Sequence, residues 1–414
     1  MSNNLESGMK QVSQKFTRRR FVTQTGMTAA TCVILKPELV RGTQANSKLE
    51  LGLVGCGGRG VWIADLFQKH GGYQFVAGAD YFADKVNAFG DTFKIDSSRR
   101  YTGLSGYRRL LEKKVDAIVI ESPPYFHPEQ AAAGVDAGVH VYLAKPIAVD
   151  VPGCQSVAQS GKKATDQKTC LLVDFQTRTD PFYREAVKRA QYGDIGRIIS
   201  GESVYVCDST WGPQAKDLRA DPLNPENRLR AWGLDRELSG DVITEQNIHS
   251  LDVTTWILDD QPIRATGTGG QKGRNTGTCW DHFAVIFTFP KDIIVSFTSK
   301  QLGQGVDDIM CRMYGTDGTI DTHYFGEVSI RGKTPYKGGK TDNLYENGAV
   351  RNIATFHENV TKGRIANTSV PPSVRSNLTT ILGRMAAYKH GEVTWDEMIT
   401  KSEKWDPQLK GLKA

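Results

Sequence analysis

Short apolar runs alternate with helix-period segments through the first third of this 414-residue chain. Leu51-Gly52-Leu53-Val54 is a strand-sized apolar run that stops at Gly55-Cys56-Gly57-Gly58-Arg59-Gly60. Val61, Ile63, Ala64, Leu66 and Phe67 then recur at helical spacing. Phe75 to Ala79 predicts a second strand with Asp80 at its end, and Tyr107 to Leu111 a helix. Asp116 to Ile120 predicts a buried strand, Pro128 to Ala137 a helix, and Val139 to Leu143 another strand. Such alternation implies a parallel, doubly wound sheet, whose ligands lie beyond the carboxyl ends of its strands. Further on, strand-like runs occur at Arg197 to Val206, Ile263 to Gly267, His282 to Phe289, Ile293 to Ser299 and Ile309 to Tyr314. Pro290-Lys291-Asp292 predicts a hairpin turn, and Gly315 to Thr319 another turn before Ile320.

Composition narrows the picture. With 39% hydrophobic and 24% charged residues, and no tract both poor in apolar residues and charged with one sign, wholesale disorder is excluded. The formal charge of +6 is concentrated at the start. Before residue 46, Lys10, Lys15, Arg18, Arg19, Arg20, Lys36 and Arg41 stand against Glu6 and Glu38, seven against two, which leaves +1 for the body. Nucleic-acid binding is not expected of so neutral a body. Thr17-Arg18-Arg19-Arg20-Phe21-Val22, ahead of the weakly hydrophobic Met27 to Leu35, is similar to a twin-arginine export signal. That stretch falls short of the ~20 apolar residues of a membrane span. The expectation is cleavage around Val40 to Ala45, a periplasmic protein and no stable span. Because that route carries folded proteins, it favours a tightly held cofactor. An oxidising compartment would let Cys154, Cys170, Cys207, Cys279 and Cys311 pair, with no particular pairing specified. The seven cysteines form no CxxC pair or Cys/His cluster, and no metal is predicted.

The glycine turn carries the first chemistry. Gly55 permits the tight turn, Gly57 lets a pyrophosphate approach the backbone, and Gly60 lets the helix pack on the strand. Gly58 and Arg59 open a helix whose N-terminus offers free N–H groups. Asp80, twenty residues past Gly60, is placed to accept ribose hydroxyls and repel a 2′-phosphate, which favours NAD over NADP. Beyond the next strand ends lie Ser122-Pro123-Pro124-Tyr125-Phe126-His127 and Ala144-Lys145-Pro146. Ser122, Pro123, His127 and Lys145 are read as cofactor contacts.

Glycine loop, acidic strand end, the Pro- and His-containing loop and Gly138-Val139-His140-Val141-Tyr142-Leu143-Ala144-Lys145-Pro146 together resemble the Gfo/Idh/MocA oxidoreductases, NAD(P)-dependent enzymes of sugars and polyols. Ser239-Gly240-Asp241-Val242-Ile243-Thr244-Glu245-Gln246-Asn247-Ile248-His249-Ser250-Leu251-Asp252 is similar to the family's GGGxLxDxGxHxxD segment. The resemblance implies an α/β chain: an N-terminal Rossmann dinucleotide-binding domain, then an α+β domain with a large open, mostly antiparallel sheet, its free face inviting homo-oligomerisation. The expected division is a signal over 1–45, a Rossmann domain over 46–175 and a substrate and oligomerisation domain over 176–414. Two departures stand out: Ala144 occupies the usual Glu of an EKP motif, and Glu245 the usual Asp.

From Asp241 the helical period puts Glu245, His249 and Asp252 along one face, with Ile248, Leu251 and Leu258 on a buried stripe. His249 is the candidate acid/base, with a carboxylate one turn away to orient it and stabilise its charged form. Lys145 is expected to hold the reacting hydroxyl, and Glu245 to position His249 or bind a sugar hydroxyl. Tyr125, Arg178, Tyr183 and Asp252 are substrate candidates, and Trp211 and Trp232 could stack on a sugar ring. The function so implied is hydride transfer between nicotinamide and a carbinol carbon of a sugar, polyol or related carbohydrate. The alternative is an exported glycosidase using tightly bound NAD in transient oxidation and elimination.

Overall fold

The computed structural model describes residues 48–208 and 215–414. The expected export signal and Trp211 lie outside the described residues. Six strands form the first sheet: β1 (Leu49–Val54), β2 (Tyr73–Asp80), β3 (Arg100–Thr102), β4 (Ala117–Ile120), β5 (His140–Ala144) and β6 (Leu171–Asp174). Their order is β3-β2-β1-β4-β5-β6, every pair parallel. Parallel strands covered on both faces read as unbroken apolar runs, and Ala117, Ile118, Val119 and Ile120 are all fully buried. The order reverses between β1 and β4, which opens a crevice at their carboxyl ends.

The glycine loop turns the chain from β1 into the helix Gly58–His70. Gly55 holds φ +93°, and a Cβ on Gly60 would stand 1.9 Å from the Gly55 carbonyl oxygen, so neither position admits a side chain.

Nine further strands form the second sheet: β7 (Ile198–Cys207), β8 (Arg264–Gly270), β9 (His282–Phe289), β10 (Ile293–Gln301), β11 (Asp308–Gly315), β12 (Gly318–His323), β13 (Val328–Gly332), β14 (Tyr336–Gly339) and β15 (Glu392–Thr394). The order is β14-β13-β12-β11-β7-β10-β9-β8-β15, antiparallel except for the parallel β7–β10 pair. Alternation along β9 and β10 is strict: Val285, Phe287, Val295 and Phe297 are buried, whereas Ile286 and Ile294 face outward, 44% and 49% exposed. The helices Ile248–Leu258 and Val370–Lys389 cover the inner face. The edge strands β3, β14 and β15, and β13 next to β14, were not foreseen; Arg100-Tyr101-Thr102 and Tyr336 to Gly339 carry no apolar run.

Sequence order and spatial lobe part company near the C-terminus. The helix Leu344–Lys362 leaves the second sheet and buries Ala349, Ile353 and Phe356 among Phe67, Tyr73 and Tyr142 of the first lobe. The tail follows it back, where the Leu104 N–H donates to the Lys413 carbonyl at 3.0 Å. Residues 48–414 thus pack as one compact unit.

Candidate active site

A groove runs along the carboxyl ends of β1, β2 and β4, lined by Gly55, Gly57, Asp80, Glu121, Ser122 and Pro123. Asp80 staples the glycine loop to β2: Oδ2 accepts the Cys56 N–H at 2.7 Å and Oδ1 the Phe82 N–H at 2.9 Å. Burial raises the Asp80 pKa, while those two N–H groups oppose the rise. The groove fits an extended dinucleotide. No atom lies within 4 Å of where a Cβ on Gly57 would stand, and no side chain caps the N-terminus of Gly58–His70. Leu229, Arg230 and Trp232 of the second lobe wall its far side. Arg230 lies 3.9 Å over the Phe82 ring and pairs with Asp84 at 3.1 Å, while the Tyr81 hydroxyl donates to Glu226 at 2.7 Å. None of these closing contacts was foreseen, since they join residues about 150 positions apart.

At the other end, Lys145 follows β5, through a cis bond to Pro146, and reaches into the second lobe. Its Nζ donates to the Glu245 carbonyl at 2.7 Å and lies 3.3 Å from Glu245 Oε1. The continuous helix expected from Asp241 is two helices, Asp241–Glu245 and Ile248–Leu258, interrupted at Gln246 and Asn247. The interruption turns Glu245 to Lys145 rather than to His249. His249 is 7% exposed, its Nδ1 has no hydrogen-bond partner, and the Tyr324 ring meets it edge-on at 5.5 Å. The expected stabilisation of its charged form is not what the surroundings supply. Burial, then Lys145 and Arg59, push its pKa well below the usual histidine value, so the ring is neutral and ready to accept a proton.

Between groove and lysine lies a cluster that the motif reading missed. Arg59 turns away from the glycine loop, its Nε 2.9 Å from Glu121 Oε2 and its Nη2 2.8 Å from Asp174 Oδ2. Nη1 hydrogen-bonds the Tyr345 hydroxyl, and the guanidinium lies over the Trp62 and Tyr345 rings. Gln176 and Asn352 hold the Asp174 oxygens at 2.9 and 2.7 Å. Burial opposes the Arg59 charge, but Glu121, Tyr345 and Asp174 outweigh it and raise its pKa. A signal existed: Glu121 and Asp174 are the first charged residues after two apolar strand runs. Asn247 and Tyr324 were also missed, and both keep buried side-chain polar atoms without partners.

Several predicted residues sit elsewhere. His127 is 1% exposed, with Nδ1 2.8 Å from the Pro146 carbonyl and Nε2 2.7 Å from the Ser122 carbonyl. It clamps two strand ends, neither nitrogen is left for a ligand, and burial takes its pKa down to about 4. Tyr125 turns toward Glu129 and Lys404, and its neighbour Phe126 lines the groove instead. Arg178 makes a two-pronged pair with buried Asp252 at 2.8 to 3.1 Å, and Ser376 also donates to Asp252 at 2.6 Å. Their charges cancel each other inside the fold. Tyr183, 3% exposed, packs in the core beside Tyr324 and Cys311. The six cysteines among the described residues are all free.

Among the described residues no group of three or more His, Cys, Asp or Glu is placed to hold a metal ion, and no helix is long and apolar enough to cross a membrane.

A Rossmann sheet with a glycine-loop groove, joined to an open sheet that brings a lysine and a histidine to the end of that groove, defines a two-lobed nicotinamide-dependent oxidoreductase class. Residues 49–173 match the oxidoreductase family model for an NAD-binding Rossmann fold, and residues 183–321 match the GFO/IDH/MocA C-terminal domain. The chain belongs to the Gfo/Idh/MocA oxidoreductase family. It is 26% identical over 219 residues to inositol 2-dehydrogenase 2 of Saccharopolyspora erythraea, a match covering 53% of this chain and 56% of that one. It is also 26% identical over 245 residues to glycosyl hydrolase family 109 protein 5 of Phocaeicola vulgatus, covering 55% and 45%. The chain thus spans about half the length of these relatives. Levoglucosan dehydrogenase, solved with NADH and levoglucosan, shares the fold at a TM-score of 0.66 and 17% identity, covering 84% and 99%.

Proposed function

We propose that this protein is an NAD-dependent oxidoreductase that moves a hydride between nicotinamide and a carbinol carbon of a sugar, polyol or related carbohydrate. The observation that carries the reading is the convergence of Lys145, Glu245 and neutral His249 at the end of the dinucleotide groove. Bound NAD would supply the hydride acceptor. The chain's part is to place and deprotonate the alcohol. The neutral His249 ring takes the hydroxyl proton, and the Lys145 ammonium donates to the same oxygen and steadies the charge that develops there. Glu245 anchors the ammonium and keeps it aimed. Tyr324 and Asn247, with unsatisfied polar atoms, suit the remaining hydroxyls of a polyol.

Asp80 at the β2 end favours NAD over NADP, and the wall of Leu229, Arg230 and Trp232 favours slow cofactor release. The arginine pair at Arg18-Arg19 supports export through the twin-arginine route to the periplasm. Ile286, Ile294 and Tyr314 on the outer face of the second sheet support a homo-oligomer, which light scattering of the purified protein checks.

The similarity to glycosyl hydrolase family 109 protein 5 favours a second reading, glycoside cleavage by transient oxidation with retained NAD. One experiment separates the two. Protein purified without added cofactor is assayed on a panel of sugars and aryl glycosides, with and without external NAD. Stoichiometric NADH supports the dehydrogenase. Steady glycoside cleavage without net NADH overturns it in favour of the hydrolase.

A further inference from the structure

The neighbouring strands β4, β5 and β6 end side by side, and the end of β4 lines the cofactor groove. The register sets Ile120 beside Leu143 and Ala144 beside Asp174, so Glu121 and Asp174 flank Ala144 on either side. The central strand thus contributes no carboxylate, and each flanking strand contributes one. Both meet the single guanidinium of Arg59. Two carboxylates against one guanidinium make a buried net charge of −1, or zero once Glu121 is protonated.

Glu121 is the member of this trio with freedom to change. The residue borders the groove, its side chain is fully buried behind that border, and the 2.9 Å ion pair with Arg59 leaves neither carboxylate oxygen a well-formed hydrogen bond. Asp174, by contrast, is held by Gln176 and Asn352 as well as by Arg59. A carboxylate buried beside a ligand groove and met by one guanidinium contact among the described residues is an incompletely satisfied acceptor.

Resting on the NAD reading above, we propose that Glu121 is a charge-balancing residue for the nicotinamide: it is ionised while the ring is oxidised and cationic, and takes up a proton from solvent when the ring becomes neutral on reduction. A lone guanidinium at this end of the groove would repel the cationic ring, and the trio with Glu121 ionised attracts it. When hydride transfer cancels the ring's charge, an ionised Glu121 loses that partner and is left in a desolvated site. Among the described residues, the charged and titratable groups that face it are Arg59 from the helix Gly58–His70, Asp174 from β6, the Tyr142 phenol from β5, Lys145 just after β5, and the Tyr345 phenol from Leu344–Lys362. Burial pushes the Glu121 pKa up to about 7, with Arg59 and Lys145 holding it from rising further and Asp174 adding to the rise. A nearby cation lowers that value and its loss restores it, so the proton is exchanged near neutral pH. The atoms balance: the ring gains one hydride, the substrate's hydroxyl proton leaves through His249, and one further proton enters at Glu121.

The test is potentiometric titration of the purified holoprotein, following the bound couple from about pH 6 to about pH 8. Free NAD takes up one proton per electron pair, so an additional proton makes the dependence of the midpoint potential on pH up to about twice as steep as for free NAD. Glu121→Gln is expected to return it to the free-couple slope, and Glu121→Asp to keep the steeper one. A wild-type slope equal to that of free NAD overturns the proposal whether or not the variants fold. A steep slope that survives in Glu121→Gln overturns the assignment to Glu121. A protein that binds neither NAD nor NADH sinks the functional reading itself, whereas one that binds both with the ordinary slope sinks only this inference.

Discussion

His249 is made useful by what surrounds it rather than by its own pKa. Burial beside two cations keeps the imidazole neutral, and its Nδ1 is left without a partner. We expect His249→Ala to lower kcat by about 10²- to 10⁴-fold with the fold intact, measured by steady-state kinetics beside a thermal melt. An unchanged kcat removes the proton-transfer role. His323 shows the opposite environment. Its Nδ1 meets Asp308 at 3.0 Å and its Nε2 meets Asp321 at 3.2 Å on the outer sheet face. Hydrogen bonding to Asp321 raises its pKa to about 9, from an ordinary value near 6.5. A group whose folded pKa is raised stabilises the fold fully below its unfolded pKa and loses that contribution as pH climbs through the folded one. Stability should therefore fall by about 1–2 kcal/mol between about pH 6 and about pH 10 on account of this residue, after allowance for its partial exposure. Urea melts of His323→Gln should show a decline smaller by that amount; an identical decline rules the residue out. Legibility at this scale was uneven. Lys145, Glu245 and His249 were named from motif position, and the structure brings Lys145 and Glu245 into contact. The Arg59–Glu121–Asp174 cluster escaped because its members lie 62 and 53 residues apart along the chain, with no spacing rule to link them.

Among elements, the helix Leu344–Lys362 has the widest consequences. Its apolar face carries Phe356, fully buried against Phe67, Tyr73 and Tyr142, with ring centroids 5.6 to 6.5 Å apart. Phe356→Ala should cost about 3–5 kcal/mol by transfer and cavity terms together, read from denaturant unfolding. A loss below about 1 kcal/mol means that this helix is not part of the Rossmann core. The core strands were legible because a strand covered on both faces must be apolar throughout, and a half-covered one must alternate. The boundary between Asp241–Glu245 and Ile248–Leu258 was not. Helical periodicity continues across Gln246 and Asn247, and only the pull of Lys145 on the Glu245 carbonyl and carboxylate shows that the backbone turns there.

The two lobes are one thermodynamic object. Arg384, fully buried in Val370–Lys389, donates to the Gly240 carbonyl of the second lobe and the Val149 carbonyl of the first, each at 2.7 Å. With Leu344–Lys362 closing the Rossmann core, a fragment of residues 48–176 would expose the aromatic cluster of Phe67, Tyr73 and Tyr142. We expect that fragment to lack a cooperative melt, and the chain from residue 48 to 414 to unfold in a single transition, both followed by circular dichroism. A fragment that melts cooperatively makes the first lobe autonomous. By itself the sequence determined the parallel sheet, the glycine turn, the acidic end of β2 and the strand runs of the second lobe. Each of these is dictated by neighbours within a few turns of chain, through periodicity, φ freedom and strand-end position. Only the tertiary structure decided that a C-terminal helix completes the first core, that Arg178 and Asp252 neutralise each other, that His127 clamps backbone, and that Arg59 gathers two carboxylates beside the groove. Those outcomes depend on which groups burial brings together, and burial pairs residues by distance in space, which local pattern does not encode.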